Sequence, residues 1–339
     1  MSAFLDRVVQ YRRYLRILSR VKDQQWARLL MEKRAWPEGL RLDPSTGQLI
    51  INDLGLGIDR ANVFMLQRLD LVRSLSKDAN VTFLRTDAGE IEAEFDGVKL
   101  VLKTAEELSI LEVLLLEHCY DFVSSDSVVV LDIGMNVGIP ALFFAAKESV
   151  KAVYGFEPFP ETYADAERNF SLNASKEKIT AYNFGLSDSD ESIEADYSPE
   201  YKASARTSGL PAYLTETNNP QALGIQKIHI SLKDAGEVIR PILAKHANSS
   251  IVVKMDCEGG EHQIIPSLEA AGLLEAIDVF MLEWHEPGPA IIEDTLSRAG
   301  FVILTPGRDH VIGGEHMGFL YAIKNTRRNA GLSRGEVAS

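Results

Sequence analysis

Apolar residues recur at three- and four-residue intervals from the start of the chain, at Leu5, Val8, Tyr11, Leu15, Leu18, Val21, Trp26 and Leu30. This is the helical period, and it predicts one or two amphipathic helices between Phe4 and about Glu32. A turn-rich stretch containing Pro37, Gly39, Pro44 and Gly47 follows, then a second helical pattern on Val63, Leu66, Leu69 and Val72. Residues 1–80 are therefore expected to form a helical region. From Val81 to Lys103 the runs VTFLRT, EIEAEF and VKLVLK, separated by Asp87-Ala88-Gly89 and Asp96-Gly97, predict a β-hairpin segment over 81–104. Beyond Ala105 strands and helices alternate almost to the C-terminus. Strands are expected at 127–133, 151–156, 178–186, 250–256, 278–284, 300–305 and 317–324, and helices after Gly138, Glu161, Leu232, Gly260 and Pro289. Such alternation calls for a mainly parallel sheet, hence an α/β, doubly wound domain over 105–325 with a flexible tail at 326–339. The stretch 187–226 is too long and polar for a simple connection and reads as an insertion over the sheet edge or a local hairpin.

Composition narrows the partners. The hydrophobic share of 45% and the charged share of 25% are those of a soluble globular protein. A formal net charge of −14 argues against a nucleic-acid partner, because phosphate binding needs clustered Lys and Arg. The basic run Arg12, Arg13, Arg16 and Arg20 reads as a solvated helix face. Two cysteines, Cys119 and Cys257, make neither a disulfide framework nor a cysteine metal site. With no signal-peptide pattern and no unbroken apolar span, the expected location is the cytoplasm, away from membranes.

The strongest chemical signal is Asp132-Ile-Gly134-Met-Asn136-Val-Gly138, a strand end, a glycine turn and a helix start. Gly134 and Gly138 permit unusual dihedrals and close approach, and the helix beyond offers free N–H groups. A second strand ends in Glu157-Pro158, about 20 residues on, where doubly wound nucleotide-binding folds keep an acid for the ribose hydroxyls. A dinucleotide fingerprint would need glycine at the first, third and sixth loop positions, which here hold Gly134, Asn136 and Ile139. That disfavours a nicotinamide oxidoreductase. An acid such as Asp132 beside the loop suits a cationic sulfonium ligand rather than a pyrophosphate.

Taken in order, DIGMNVG, FEPFPETYADAERNFSLN, GLSD and VVKMDCEGGE resemble the motif set of the FkbM family of S-adenosylmethionine-dependent O-methyltransferases, over roughly residues 118–325. The resemblance implies a Rossmann-like class I methyltransferase sheet with an antiparallel last strand, preceded by the helical and β-hairpin extension. It implies that Asp132, Gly134, Asn136 and Gly138 hold the methionine portion of the cofactor, Glu157 the ribose, and the Gly185-Leu186-Ser187 turn the adenine. Met135 and Ile139-Pro140 depart from the family's usual residues.

At the carboxyl edge of the sheet the strand IVVKMD delivers Asp256, Glu258 and Glu261, and the strand VFMLEW delivers Glu283, Trp284 and His285. Asp256 counts both as a cofactor ligand and, with Glu258 and His285, as a candidate catalytic residue. The candidate base for a substrate hydroxyl is His285, its tautomer oriented by Asp256 or Glu283, or else an acid near Asp256. Glu261 reads first as an acid at a helix start. Asp256, Glu283 and His285 could also ligate a divalent cation, but no ligand spacing selects one, and the reading without a metal is preferred. The expected product beside S-adenosylhomocysteine is a methyl ether of a small-molecule or sugar hydroxyl. A catalytically silent cofactor-binding interaction protein is the remaining alternative, and the N-terminal region is the expected site of any homo-oligomer contact.

Overall fold

The computed structural model describes residues 2–325 apart from 33–34, 36–37, 125–126, 213, 215–222, 308 and 313. The tail expected over 326–339 lies outside the described residues. The chain divides into two units, Met1–His118 and Cys119–Ser339.

In the first unit the N-terminal helical period becomes two helices, α1 (Ser2–Val21) and α2 (Gln24–Glu32). They are broken at Lys22, whose backbone is left-handed with φ 56°. Between the two helical patterns, where only a turn-rich stretch was expected, the chain forms an antiparallel meander of β1 (Leu40–Leu42), β2 (Leu49–Ile51) and β3 (Leu56–Ile58). Leu49, Ile51 and Ile58 are fully buried, so these short strands are built around apolar positions. Helices α3 (Phe64–Gln67) and α4 (Leu69–Asp78) follow. The segment expected as a hairpin is a three-stranded antiparallel sheet of β4 (Thr82–Arg85), β5 (Ile91–Phe95) and β6 (Val98–Leu102). Helix α5 (Ala105–Leu115) closes the unit, opened by a capping box between Thr104 and Glu107.

The second unit is built on a sheet of β7 (Val128–Ile133), β8 (Val150–Phe156), β9 (Ile179–Tyr182), β13 (Ser250–Met255), β14 (Val279–Trp284), β15 (Phe301–Leu304) and β17 (Glu315–Lys324), with β16 (His310–Ile312) paired to β17. The order is β15-β17-β14-β13-β7-β8-β9. Neighbours from β14 to β9 are parallel, while β17 is antiparallel to both β14 and β15. This is the mainly parallel α/β sheet with an antiparallel last strand. The central strands are near-continuous apolar runs, as buried parallel strands require. All six residues of β7 are buried. The connecting helices are α6 (Ile139–Ala146), α7 (Pro160–Ser171), α8 (Ala235–Lys245), α9 (Glu261–Ala270) and α10 (Ala290–Arg298).

The single strand expected at 178–186 is two. After β9 the chain turns out of the main sheet, and β10 (Gly185–Ser187) joins a second sheet in the order β10-β12-β11. Asn183 braces that departure by donating its side-chain N–H to the Glu157 carbonyl at 3.0 Å. Strands β11 (Glu191–Tyr197) and β12 (Gln226–Asp234) are antiparallel partners, so the polar 187–226 stretch carries a long local hairpin.

Candidate active site

Strands β7 and β13 are neighbours at the centre of the sheet, and the chain leaves their carboxyl ends toward α6 and α9. Ligands of open α/β sheets bind outside the carboxyl ends of such strands. The register places Asp132 opposite Lys254. Both side chains are essentially inaccessible, with Lys254 Nζ 3.2 Å from Asp132 Oδ1. The same ammonium donates to the Gly134 carbonyl at 2.7 Å, tying the ion pair to the glycine loop. Burial pushes the Asp132 carboxyl up, and Lys254 pulls it back only in part. Burial acts to lower Lys254, but the Asp132 and Asp256 carboxylates outweigh it and hold the ammonium above its usual range. Asp132 thus faces a lysine behind the loop.

The loop itself runs through three left-handed residues, Gly134 (φ 75°), Asn136 (φ 51°) and Gly138 (φ 79°). A Cβ at Gly134 would lie 1.8 Å from the Asp256 carbonyl oxygen, so glycine here lets the β7 and β13 ends meet backbone to backbone. At Gly138 a Cβ would meet Phe170 of α7. Asn136 caps its own turn, its Oδ1 accepting from the Val137 N–H at 2.7 Å. Pro140 sits in the first turn of α6, where a missing N–H leaves no bond broken.

Glu157 follows β8 and reaches back to the loop. Its Oε2 accepts from the Asn136 N–H at 3.1 Å and its Oε1 from the Phe159 N–H at 3.0 Å. Burial pushes its carboxyl up to about 7 against those two bonds. Each oxygen keeps a second lone pair, enough to accept from a cis-diol. Leu186 and Ser187 are both buried on β10, and the Leu186 side chain belongs to the apolar core with Ile133, Phe156 and Met255.

Four acids and a histidine converge beyond β13 and β14. His285 is buried, and its Nδ1 lies 3.1 Å from Glu261 Oε1, which also accepts the His285 backbone N–H at 2.7 Å. Glu261 Oε2 accepts from the Gly259 N–H at 3.0 Å. The residue on the imidazole Nδ1 is therefore Glu261, in place of the expected Asp256 or Glu283. Glu283 instead lies 3.7 Å from His310 Nε2. Nε2 of His285 sits 3.6 Å from Glu258 Oε2. Burial would lower the imidazole, but the Glu261 hydrogen bond and the Glu258 charge lift it to about 10. Burial works against an ionised Glu261 too, yet the bonds from His285 hold its carboxyl below the usual range. Burial pushes Glu258 up to about 7, with the His285 and Arg206 charges opposing.

Arg206, from the hairpin between β11 and β12, donates from Nε to Glu258 Oε2 at 2.8 Å and lies 2.7 Å from Glu315 at the start of β17. One ligand atom each from Asp256, Glu258 and His285 falls within 4.8 Å of the others, a spacing a cation could use. Glu258, rather than Glu283, completes that group. Arg206 and Lys254 already bring positive charge to its carboxylates.

Sequence reasoning missed Lys254, Arg206 and the role of Glu261. A lysine inside the apolar run IVVKM was the available signal, since a buried ammonium needs a buried partner. Nothing local marked Arg206. Among the described residues no helix is long and apolar enough to cross a membrane.

Methyltransferase 1 of Beauveria bassiana (strain ARSEF 2860) is 23% identical over 167 residues, covering 46% of this chain and 65% of that protein. The crystal structure of methyltransferase FkbM from Methylobacillus flagellatus KT is 14% identical, with a TM-score of 0.38, over 76% of this chain and 59% of that one. M. capricolum TrmK, solved with S-adenosyl-homocysteine, is 11% identical with a TM-score of 0.32, over 62% of this chain and 67% of that one. The strand order described above, not these partial likenesses, defines the fold. The methyltransferase FkbM domain matches residues 132–303, from the acid at the end of β7 through β15, and with half the chain so matched the protein belongs to that family.

Proposed function

We propose that this chain transfers the methyl group of S-adenosylmethionine to a hydroxyl oxygen of a small-molecule or glycan acceptor. The observation that carries the reading is Glu157, a buried carboxylate at the end of β8 held by the loop that Asn136 belongs to. Its free lone pairs suit the ribose diol, the 134–138 loop with Asp132 behind it suits the methionine end, and Leu186 and Ser187 flank the adenine. Bound there, the cofactor supplies an electrophilic methyl group on a sulfonium. A formal charge of −14 supports an acceptor other than nucleic acid. Two free cysteines support a cytoplasmic location.

The proton leaving the acceptor hydroxyl needs an ionised base. His285, lifted to about 10, already carries its proton at neutral pH and serves as a fixed positive charge beside Glu258. The role of base falls to Asp256, whose side chain is about a third exposed at the sheet edge with Lys254 3.9 Å away. Asp256→Asn is expected to lower kcat about a hundredfold, read as transfer of labelled methyl to a hydroxylated acceptor, with S-adenosylhomocysteine still bound.

Titration calorimetry with S-adenosylhomocysteine tests the reading directly. Wild-type protein is expected to bind saturably, and Glu157→Gln to bind ten- to a hundredfold more weakly, since hydrogen bonds to a charged group are lost. Affinity of the wild type is expected to rise with pH through about 7, because ribose hydroxyls favour the ionised carboxylate of a group that titrates there. The variant loses that slope. Absence of binding by the wild type sinks the proposal.

A further inference from the structure

One polar group at this edge has no part in the chemistry above. Tyr120, in the loop that leads from α5 to β7, is 2% exposed, and its hydroxyl has no hydrogen-bond partner in the structure. The ring is fixed in place. Phe319 of β17 packs against it edge-on, with ring centroids 5.7 Å apart, and Lys254 Nζ lies 5.6 Å from its centroid. The Tyr321 hydroxyl donates to the Cys119 carbonyl at 2.8 Å and pins the preceding residue. Tyr120 therefore cannot swing its hydroxyl out to solvent, and a buried hydroxyl left unpaired costs more than a formed hydrogen bond returns.

The surroundings select what would pair with it. The carboxylates of Asp256, Glu283 and Asp132 all act on this hydroxyl, yet none hydrogen-bonds to it. A negative group entering between them would be repelled. A primary ammonium has three N–H donors and a positive charge, so it can give one hydrogen to the phenolic oxygen while its charge is met by the acids.

We propose that Tyr120 is a cofactor-positioning residue whose hydroxyl accepts a hydrogen bond from the α-ammonium of the methyl donor's amino-acid end. The inference rests on the S-adenosylmethionine reading and assigns to that end a residue outside the stretch matched by the family. Tyr120→Phe removes one oxygen and nothing else. If the hydroxyl waits for a ligand, the variant without ligand melts at the wild-type temperature or a few degrees above it, because an unpaired buried group has gone. Its affinity for S-adenosylhomocysteine falls about tenfold, and the thermal shift given by that ligand shrinks with it.

Two analogues separate the cofactor's parts. An analogue that keeps the amine and lacks the carboxylate is expected to show the same tenfold loss. 5′-Methylthioadenosine, which lacks the amino-acid end, is expected to bind both proteins equally. Equal affinity of wild type and variant for S-adenosylhomocysteine would overturn the inference and leave the hydroxyl to a trapped water. A loss extending to 5′-methylthioadenosine, or absent with the amine-only analogue, would overturn it as well. Failure of the wild type to bind S-adenosylhomocysteine would overturn the cofactor reading together with this inference, an outcome distinct from the others.

Discussion

Lys254→Met is expected to destabilise the second unit by about 3–5 kcal/mol, the usual consequence of deleting one member of a buried ion pair. The methionine fills most of the lysine's volume, so the loss is electrostatic rather than a cavity. Asp132 would remain fully buried without the ammonium now 3.2 Å away, and the Gly134 carbonyl would lose its donor. The unfolding midpoint in denaturant measures the effect. The double variant Asp132→Asn, Lys254→Met should recover part of it, because no uncompensated charge is then left inside. A single variant as stable as the wild type would mean that Asp132 takes up a proton at no cost. Because Lys254 also holds the glycine loop, weakened binding of S-adenosylhomocysteine is expected to accompany the loss of stability.

Glu261→Gln is expected to cost a similar 3–5 kcal/mol, since one carboxylate accepts from the His285 backbone, the His285 imidazole and the Gly259 backbone at once. The pH dependence gives this prediction its sign. His285 has its pKa raised from 6.5 to about 10 on folding, so its contribution is complete below 6.5 and is lost as pH rises toward 10. Glu261 has its pKa lowered from 4.5, so its contribution is complete above 4.5 and is lost as pH falls through the folded value. The gap in melting temperature between wild type and variant should therefore be widest between about pH 4.5 and 6.5 and should narrow toward pH 10. A gap independent of pH would show that the carboxylate acts only as a cap for the Gly259 turn.

Much of the second unit could be read in advance because its signals are local. A buried strand followed by Gly134 and Gly138 admits few backbones, and both have the left-handed φ that the glycines suggested, while the left-handed Asn136 between them was not anticipated. The place of Glu157 directly after the second strand was legible in the same way. What sequence could not reveal was the pairing of side chains across strands. That Lys254 stands opposite Asp132 depends on register, which a one-residue slip would change. That Glu261 rather than Glu283 meets His285 depends on how the start of α9 packs against the end of β14. The meander of β1 to β3 escaped notice because three-residue strands are too short to display a period of two. The split between β9 and β10 escaped because it is Asn183, gripping the Glu157 carbonyl, that turns the chain away.

The position of β17 has a kinetic meaning. In the sheet it lies between β14 and β15, although it follows both in sequence, and β15 has no other strand partner among the described residues. The sheet cannot grow strand by strand in chain order. Phe301–Leu304 must wait, its backbone groups unpaired, until Glu315–Lys324 arrives and pairs with both neighbours in one event. Because β17 also brings Glu315 to Arg206 and Phe319 to Tyr120, the step that seals the sheet is the step that completes the site. Intermediates lacking that strand would carry two open strand edges, the state in which a folding chain is most exposed to association with its own copies.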